Sequence, residues 1–289
     1  MGSATLLVWQ TIKQLKMINL WHVFQQMAHL GVDSLPIISL TLLFAGAVMT
    51  LQITDVLITY GAQSTVGGLM AVAMGRELGP ILVGVVLAGR VGAAITAEIG
   101  TMKVTEQIDA LRVMAVDPVG YLVVPRVVAC MIMVPILAFY GVVIGIAGGY
   151  FVATVIKGLA PSTYLDSIQM FSTISDFTLG LIKSSVFGAV IALVGAYKGM
   201  ETKMGAEAVG FSTTSSVVTS IILVFVLNSS SDNVVISVPS TIICPDVGRC
   251  KPINKRSSVL LPLPLPPNIT NVSPSLIVRL TEFKITRDS

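Results

Sequence analysis

Two charged residues beside one long apolar segment are the first candidates for chemistry. Arg90 lies inside the apolar run from about Gly79 to Ala97, and Glu98 follows that run directly. Eight residues of helix turn the chain by about 80° net, so the two side chains would share a broad face. A charge at bilayer depth costs on the order of 2.5–3.5 kcal/mol, so it requires a partner or a wet cavity. Either Arg90 is neutralised and holds helices together, or Arg90 and Glu98 line a path for an amphiphile or transmit movement.

The segment after Glu98 predicts a short amphipathic helix that Asp117-Pro118 ends. On a helical wheel its apolar residues fall within about 60° of one another, and they are Val104, Ile108, Leu111 and Ala115. The other side carries Thr105, Glu106, Asp109 and Arg112. A helix that rests on a membrane surface is usually rich in Lys and Arg. This one has as many acids as bases, which favours docking of a soluble partner.

Catalytic and metal-binding motifs are missing from the sequence. There is no G-x-x-x-x-G-K-[ST] phosphate loop, no H-E-x-x-H site and no G-x-S-x-G elbow. The cysteines Cys130, Cys244 and Cys250 form no C-x-x-C pair, although Cys244 and Cys250 would suit a disulfide outside the cytoplasm. We therefore predict no catalytic residue, no metal and no cofactor, and any energy from ATP must come from another chain.

The composition predicts an all-α integral membrane protein. Of 289 residues, 54% are hydrophobic and 11% are charged, against about 25% charged in soluble domains. The net charge of +3 does not indicate a nucleic-acid partner. A spanning helix needs roughly 20 mostly apolar residues. Five segments qualify within a permease-like domain at 35–228, and they run over about 35–60, 79–97, 127–155, 177–197 and 209–227.

Residues 1–34 and the short loops predict the orientation. Tryptophans and lysines alternate with apolar residues in the N-terminal segment, which indicates an amphipathic helix at the membrane interface; a cytoplasmic helix packed on protein is the alternative. Lysines and arginines mark the cytoplasmic side. They concentrate before span one, between spans two and three, and between spans four and five, which places the N-terminus in the cytoplasm.

Small residues recur at every fourth position in three of the predicted spans. Span two has Gly84, Ala88 and Gly92; span three has Gly141, Gly145 and Gly149; span four has Gly180, Ser184, Gly188, Ala192 and Ala196. Such a face lets helix backbones approach closely. The pattern predicts packing within the chain, and the alternative is an interface with another subunit.

Several ordered motifs resemble the MlaE permease family. They are Gly75-Arg-Glu-Leu-Gly-Pro80, Ala88-Gly-Arg90, Glu98-Ile-Gly-Thr-Met102, Thr105-Glu-Gln-Ile-Asp-Ala-Leu111 and Gly205-Ala-Glu-Ala-Val-Gly210 with Ser212-Thr-Thr214. The likeness covers about residues 6–228. Its motif residues outside the charged loop are Arg76, Glu77, Gly79, Pro80, Glu207, Gly210, Thr213 and Thr214.

The resemblance implies a homodimeric ABC-transporter permease that moves phospholipids or related lipids between membranes. Its partners would be a cytoplasmic ABC ATPase and an MCE-domain lipid-binding protein, in a bacterial inner membrane or a plastid envelope. The family's coupling helix corresponds to about Thr101–Leu111. The residues that it assigns to ATPase contact or transmission are Glu98, Lys103, Glu106, Gln107, Asp109 and Arg112.

Residues 229–289 depart from the family pattern. They hold eight of the fourteen prolines, which predicts an extended, disordered tail and a shortened fifth span. A frameshift or rearranged gene end explains this change, and a tail that binds an extracytoplasmic partner is the alternative.

An ion-coupled secondary transporter and a non-transporting membrane scaffold remain alternative functions. The first would predict more intramembrane acids and an internal repeat, and the second would not need the mixed-charge loop.

Overall fold

The computed structural model describes residues 2–14 and 20–237, and this part of the chain is helical apart from short connections. The predicted all-α membrane fold is confirmed. Its α-helices are α1 (Gly2–Gln14), α2 (Leu20–Val32), α3 (Leu35–Thr59), α4 (Val66–Ala73), α5 (Gly79–Leu87), α6 (Ala93–Val104), α7 (Gln107–Val113), α8 (Val124–Phe151), α9 (Pro161–Phe171), α10 (Ile174–Met200) and α11 (Ala206–Ser237).

Five of the described helical stretches are long and apolar enough to cross a membrane. They are Leu35–Thr59, Gln63–Val104, Val119–Ile156, Ile174–Met200 and Ala206–Ser230. Single π-helical turns lie within the second and at both ends of the third, at Met74–Leu78, Ala88–Gly92, Val119–Val123 and Val152–Ile156. Such turns are rare and often accompany functional sites. The first two contain Arg76, Glu77 and Arg90.

The second span begins much earlier than predicted. Residues 61–78 are predicted to be a loop, yet α4 and the π-turn after it carry the helix from Val66 to Gly79 without a break. The paired glycines Gly67 and Gly68 serve close packing in this helix. A side-chain carbon on either would come under 3.0 Å from the backbone of α9. Glycine therefore marks a helix contact here.

The described parts of the N-terminal segment, α1 and α2, are helical, as predicted. One side of each packs on protein: Leu7, Val23 and Leu30 are buried in the main core. Trp9, Trp21 and Phe24 are exposed on the other sides. The His22 and Tyr121 rings meet edge to face, with centroids 5.7 Å apart, which fixes α2 beside the start of the third span. This face of exposed aromatic residues is compatible with an interfacial position, which stays a prediction.

The small-residue faces pack within the chain, as predicted. A side-chain carbon on Gly46 of α3 would come under 3.0 Å from the Gly145 carbonyl of α8. A side-chain carbon on Gly188 of α10 would likewise come under 3.0 Å from the Cys130 carbonyl of α8. Backbone-to-backbone contacts of this kind bring α3 and α10 against α8, which lies at the centre of the bundle.

The fifth candidate span ends at Ser230, close to the predicted end at Leu227. Helix α11 continues to Ser237, ten residues beyond the predicted end at Leu227, so the first part of the predicted tail is helical. Asn, Ser and Asp residues follow Leu227, but no proline occurs before residue 239 to break the helix. The rest of the predicted tail, with Cys244 and Cys250, lies outside the described residues.

Candidate functional sites: the coupling loop and two polar clusters

The predicted coupling helix over residues 101–111 is broken in two. Residues 101–104 are the last turn of α6, and α7 begins at Gln107. Between them Glu106 adopts a left-handed backbone conformation with φ of 61°. Ala115 also has a positive φ, of 59°, so it lies beyond α7 and not on its predicted apolar face. Helical periodicity shows which residues share a face, but a single left-handed residue leaves no trace in it.

Ion pairs inside this loop use three of its predicted partner-binding residues. The Asp109 carboxylate accepts from Lys103 Nζ at 3.2 Å and from Arg112 Nη1 at 2.9 Å. Lys103 belongs to α6 and Asp109 to α7, so this pairing ties the short helix to the end of the second span. Ile108 is buried beneath it. The balanced charge read as a docking face is therefore partly satisfied within the loop.

The exposed surface of the loop consists of other residues. Glu106 and Gln107 are exposed at the start of α7. Val113, 89% exposed, and Met114 form an apolar tip at its end. Sequence reasoning missed this tip because it looked for an apolar face towards the membrane. Val113 and Met114 could have been found in the sequence as two adjacent apolar residues outside the predicted apolar face.

Replacing Ala115 by Gly is expected to raise the free energy of unfolding by about 1 kcal/mol. A left-handed conformation costs a residue with a side chain about 1–2 kcal/mol, and Gly adopts it freely. The matched control is Ala110→Gly, an exposed site inside α7, which should lower stability by about the same amount. Chemical denaturation of the protein in detergent measures both. Two changes of the same sign would contradict the backbone argument.

Arg90 and Glu98 line one cleft but do not pair with each other. Arg90 Nη1 donates to the Ser34 hydroxyl at 2.6 Å, and its Nη2 lies 3.4 Å from the Asp33 carboxylate. Glu98 instead accepts from Arg126 Nη2 at 2.9 Å. Arg90 is thus neutralised at the junction of α2 and α3, as the first hypothesis predicted. The second hypothesis, that Arg90 and Glu98 line a path for an amphiphile, is also compatible with the structure, because both side chains line the cleft beside α2.

A second polar cluster joins three spans near the end of the bundle opposite α7. Lys183 Nζ of α10 donates to Glu77 Oε1 at 2.7 Å, and Asn228 Nδ2 of α11 donates to Glu77 Oε2 at 3.0 Å. The Lys183 side chain is only 4% exposed. Arg76 Nε lies 3.9 Å from the same carboxylate. Sequence reasoning named Arg76 and Glu77 but missed Lys183, although a lysine within an apolar span is itself the signal.

The remaining motif residues shape helices more than they form sites. Gly79 and Pro80 are buried where the π-turn meets α5, and a side-chain carbon on Gly79 would collide with Val142. At the start of α11, Glu207 and Gly210 are exposed. The Thr213 and Thr214 hydroxyls donate to carbonyls of their own helix, at 2.7 and 3.1 Å. None of these six residues lies in the contacts of the two polar clusters.

A family model described as Permease MlaE matches residues 23–232, which include both polar clusters and the loop. The chain belongs to the MlaE permease family. A probable ABC transporter permease protein of Synechocystis is 45% identical over 73% of this chain and 80% of its own length. A probable permease of Rickettsia typhi is 42% identical, over 71% of this chain and 80% of its own.

A further relative is the probable ABC transporter permease protein ycf63 of Porphyra purpurea. It is 42% identical over 70% of this chain and 77% of its own length. This MlaE-family protein is accordingly the permease of an ABC transporter and not itself an enzyme. The ATPase is a separate subunit, in agreement with the missing phosphate loop.

Proposed function

We propose that this permease moves phospholipids or related lipids between membranes, as a homodimer with a cytoplasmic ATPase and an MCE-domain lipid-binding protein. The observation that carries the proposal is the placement of a few charged groups inside otherwise apolar helices next to an exposed loop. An amphiphile needs apolar walls for its chains and isolated polar groups for its headgroup. The Arg90–Glu98 cleft and the Glu77–Lys183 cluster supply such groups.

The distribution of basic residues supports a cytoplasmic N-terminus. The α1–α2 segment, the α7 loop and the α10–α11 connection would then lie in the cytoplasm, and α9 on the opposite side. The membrane is a bacterial inner membrane or a plastid envelope. In this orientation the exposed loop faces the compartment that holds ATP.

Transmission from the ATPase would run through α7. Closure of the two ATPases pushes on Glu106, Gln107 and the apolar tip. The Lys103–Asp109–Arg112 pairs make α7 and the end of α6 move together. The second and third spans, which this loop connects, then shift and reshape a cavity between the two copies of the permease.

The outer face of α11 supports the proposed homodimer. Ser216, Ser220 and Val224, each four residues apart, face the bundle and are buried. The opposite face exposes apolar side chains, which are Phe211, Val218, Ile222, Phe225 and Val226. The fifth span is also the least buried of the five. A second copy packed on this face would enclose it.

Reversing the charge at Glu106 tests the coupling. Glu106→Lys is expected to reduce ATP-driven lipid transfer at least about tenfold in vesicles that contain the permease and its ATPase, since an interface charge reversal costs more than about 1.4 kcal/mol. Glu201→Lys, an exposed acid at the end of α10, is the matched control and should transfer normally. Co-purification of the ATPase is the second measurement.

Normal transfer by the Glu106→Lys variant would contradict the role of this loop. Transfer that proceeds without ATPase, driven by an ion gradient, would favour a secondary transporter. Absence of any transfer with the intact complex would favour the scaffold.

A further inference from the structure

We propose that the cleft between α2 and the second span binds the headgroup of a zwitterionic phospholipid, with the phosphate at Arg90 and the ammonium at Glu98. The inference rests on the proposed lipid-transport function and deepens it by naming a headgroup class and an entry site. The cleft has a volume of about 100 Å³. That is room for a small polar group but not for acyl chains. Its wall is formed by Gln26, His29, Leu30, Arg90, Val91, Ala94, Ile95 and Glu98.

Arg90 retains donors for a phosphate. A guanidinium has five N–H groups in a fork that suits phosphate oxygens. Ser34 takes one of them, and the Asp33 carboxylate lies within reach of another. Asp33 also hydrogen-bonds His29 Nδ1 at 2.9 Å, so its charge is shared between two partners. The two neighbours orient the Arg90 head at the mouth of the cleft and leave the rest of the fork available.

Glu98 offers a carboxylate to an ammonium group. Its Oε2 accepts from Arg126, whose side chain is buried, while the Glu98 side chain is itself 44% exposed. Eight residues of helical rise separate Glu98 from Arg90, about 12 Å between backbones. Both side chains reach into the space between them. A cation and an anion facing one small cleft are the complement of a phosphate joined to an amine.

The same charges disfavour an anionic headgroup. A lipid with a phosphate but no amine can still contact Arg90, but it offers no ammonium to the Glu98 carboxylate. The lipid's chains need an apolar surface, and α2 exposes the apolar residues Phe24 and Val32. The amphipathic helix α2 thereby forms one wall of the headgroup site and part of the surface for the chains.

Photo-crosslinking from inside the cleft tests this assignment. A photoreactive amino acid replaces Gln26, which lines the cleft and is half-buried. The purified full-length protein is placed in nanodiscs of phosphatidylethanolamine or of phosphatidylglycerol, and lipid adducts are counted by mass spectrometry. We expect about tenfold more adduct with phosphatidylethanolamine, the effect of one charge-assisted contact.

Two variants assign the two ends of the headgroup. Arg90→Gln should lower adducts with both lipids about tenfold, because the phosphate contact is common to both. Glu98→Gln keeps a hydrogen bond to Arg126 and should bring the two lipids to nearly equal yield. Because Arg90 also holds the α2–α3 junction, the Glu98→Gln result decides the proposal if the Arg90 variant misfolds.

The controls separate a site from general lipid contact. The same photoreactive residue at Val143, exposed on the outside of α8, should label both lipids equally. Equal labelling at residue 26, or an unchanged preference in Glu98→Gln, overturns the proposal. In a third experiment, soluble glycerophosphoethanolamine is offered to the protein in detergent. Adducts with this molecule but none with the nanodisc lipid would contradict the proposal that the cleft takes its ligand from a membrane.

This test is independent of the proposed transport. Crosslinking needs no ATP and no partner, so Glu106→Lys should leave the adducts unchanged. A headgroup preference at residue 26 without ATP-driven transfer would count against the proposed function alone. Normal transfer without any preference would count against the headgroup site alone.

Discussion

Glu77→Gln is expected to lower the free energy of unfolding by about 3–5 kcal/mol, because it leaves the Lys183 ammonium buried without its carboxylate. Removing one member of a buried ion pair typically costs this much. The Lys183 side chain is only 4% exposed, so its ammonium group is largely shielded from solvent.

The reverse substitution should cost less. After Lys183→Met, the Glu77 carboxylate is still 33% exposed, keeps the Asn228 amide at 3.0 Å and lies 3.9 Å from Arg76. We expect a loss of about 1–3 kcal/mol. The double variant Glu77→Gln with Lys183→Met removes both charges and should be more stable than Glu77→Gln alone. Its coupling energy should exceed about 1 kcal/mol.

Denaturant titration of the protein in detergent micelles measures all three variants. The matched control is Lys157→Met, which removes the partner of Asp55 in an ion pair where Asp55 is 63% exposed. An exposed pair of this kind contributes less than about 1 kcal/mol. If Glu77→Gln is no more destabilising than Lys157→Met, the Glu77–Lys183 cluster does not hold the three spans together.

The five spans could be predicted from sequence because the bilayer imposes a minimum apolar length that a short window detects. The ends of the spans were less predictable. Residues 61–78 were predicted as a loop, but they include Gly67 and Gly68, which pack closely against α9. Glycine serves both turns and close helix contacts, and only the position of α9 decides between them. Helix α11 runs to Ser237, past the predicted span end at Leu227, because polar residues after an apolar run do not by themselves end a helix.

The candidate sites were predictable only as single residues. An intramembrane Arg90 demands a partner, but that partner, Asp33, lies in the turn between α2 and α3, outside the predicted spans. One of two hypotheses had Glu98 act with Arg90, and its ion pair is with Arg126, 28 residues away. Pairing between helices depends on their relative rotation and depth, which a local pattern does not contain. The break at Glu106 is equally invisible, since it depends on one backbone angle.

Gly46→Ala is expected to destabilise the bundle by about 3 kcal/mol, the upper part of the usual range for overpacking. The added methyl group would come under 3.0 Å from the Gly145 carbonyl oxygen, carbon and Cα of α8. A flexible side chain could move aside, but these atoms belong to a helix backbone. The first and third spans must therefore separate, and other contacts along the α3–α8 interface are lost with them.

The matched control is Gly89→Ala, since Gly89 is helical and exposed and has no atom within 4 Å of the added carbon. There the substitution only restricts the unfolded chain, and stability should rise by about 0.5–1 kcal/mol. Denaturant titration in detergent compares the two. Because both variants make the same chemical change, a difference of opposite sign isolates the cost of helix separation. A Gly46→Ala variant as stable as Gly89→Ala would mean that α3 and α8 can move apart freely, and the close α3–α8 approach would not be what fixes the bundle.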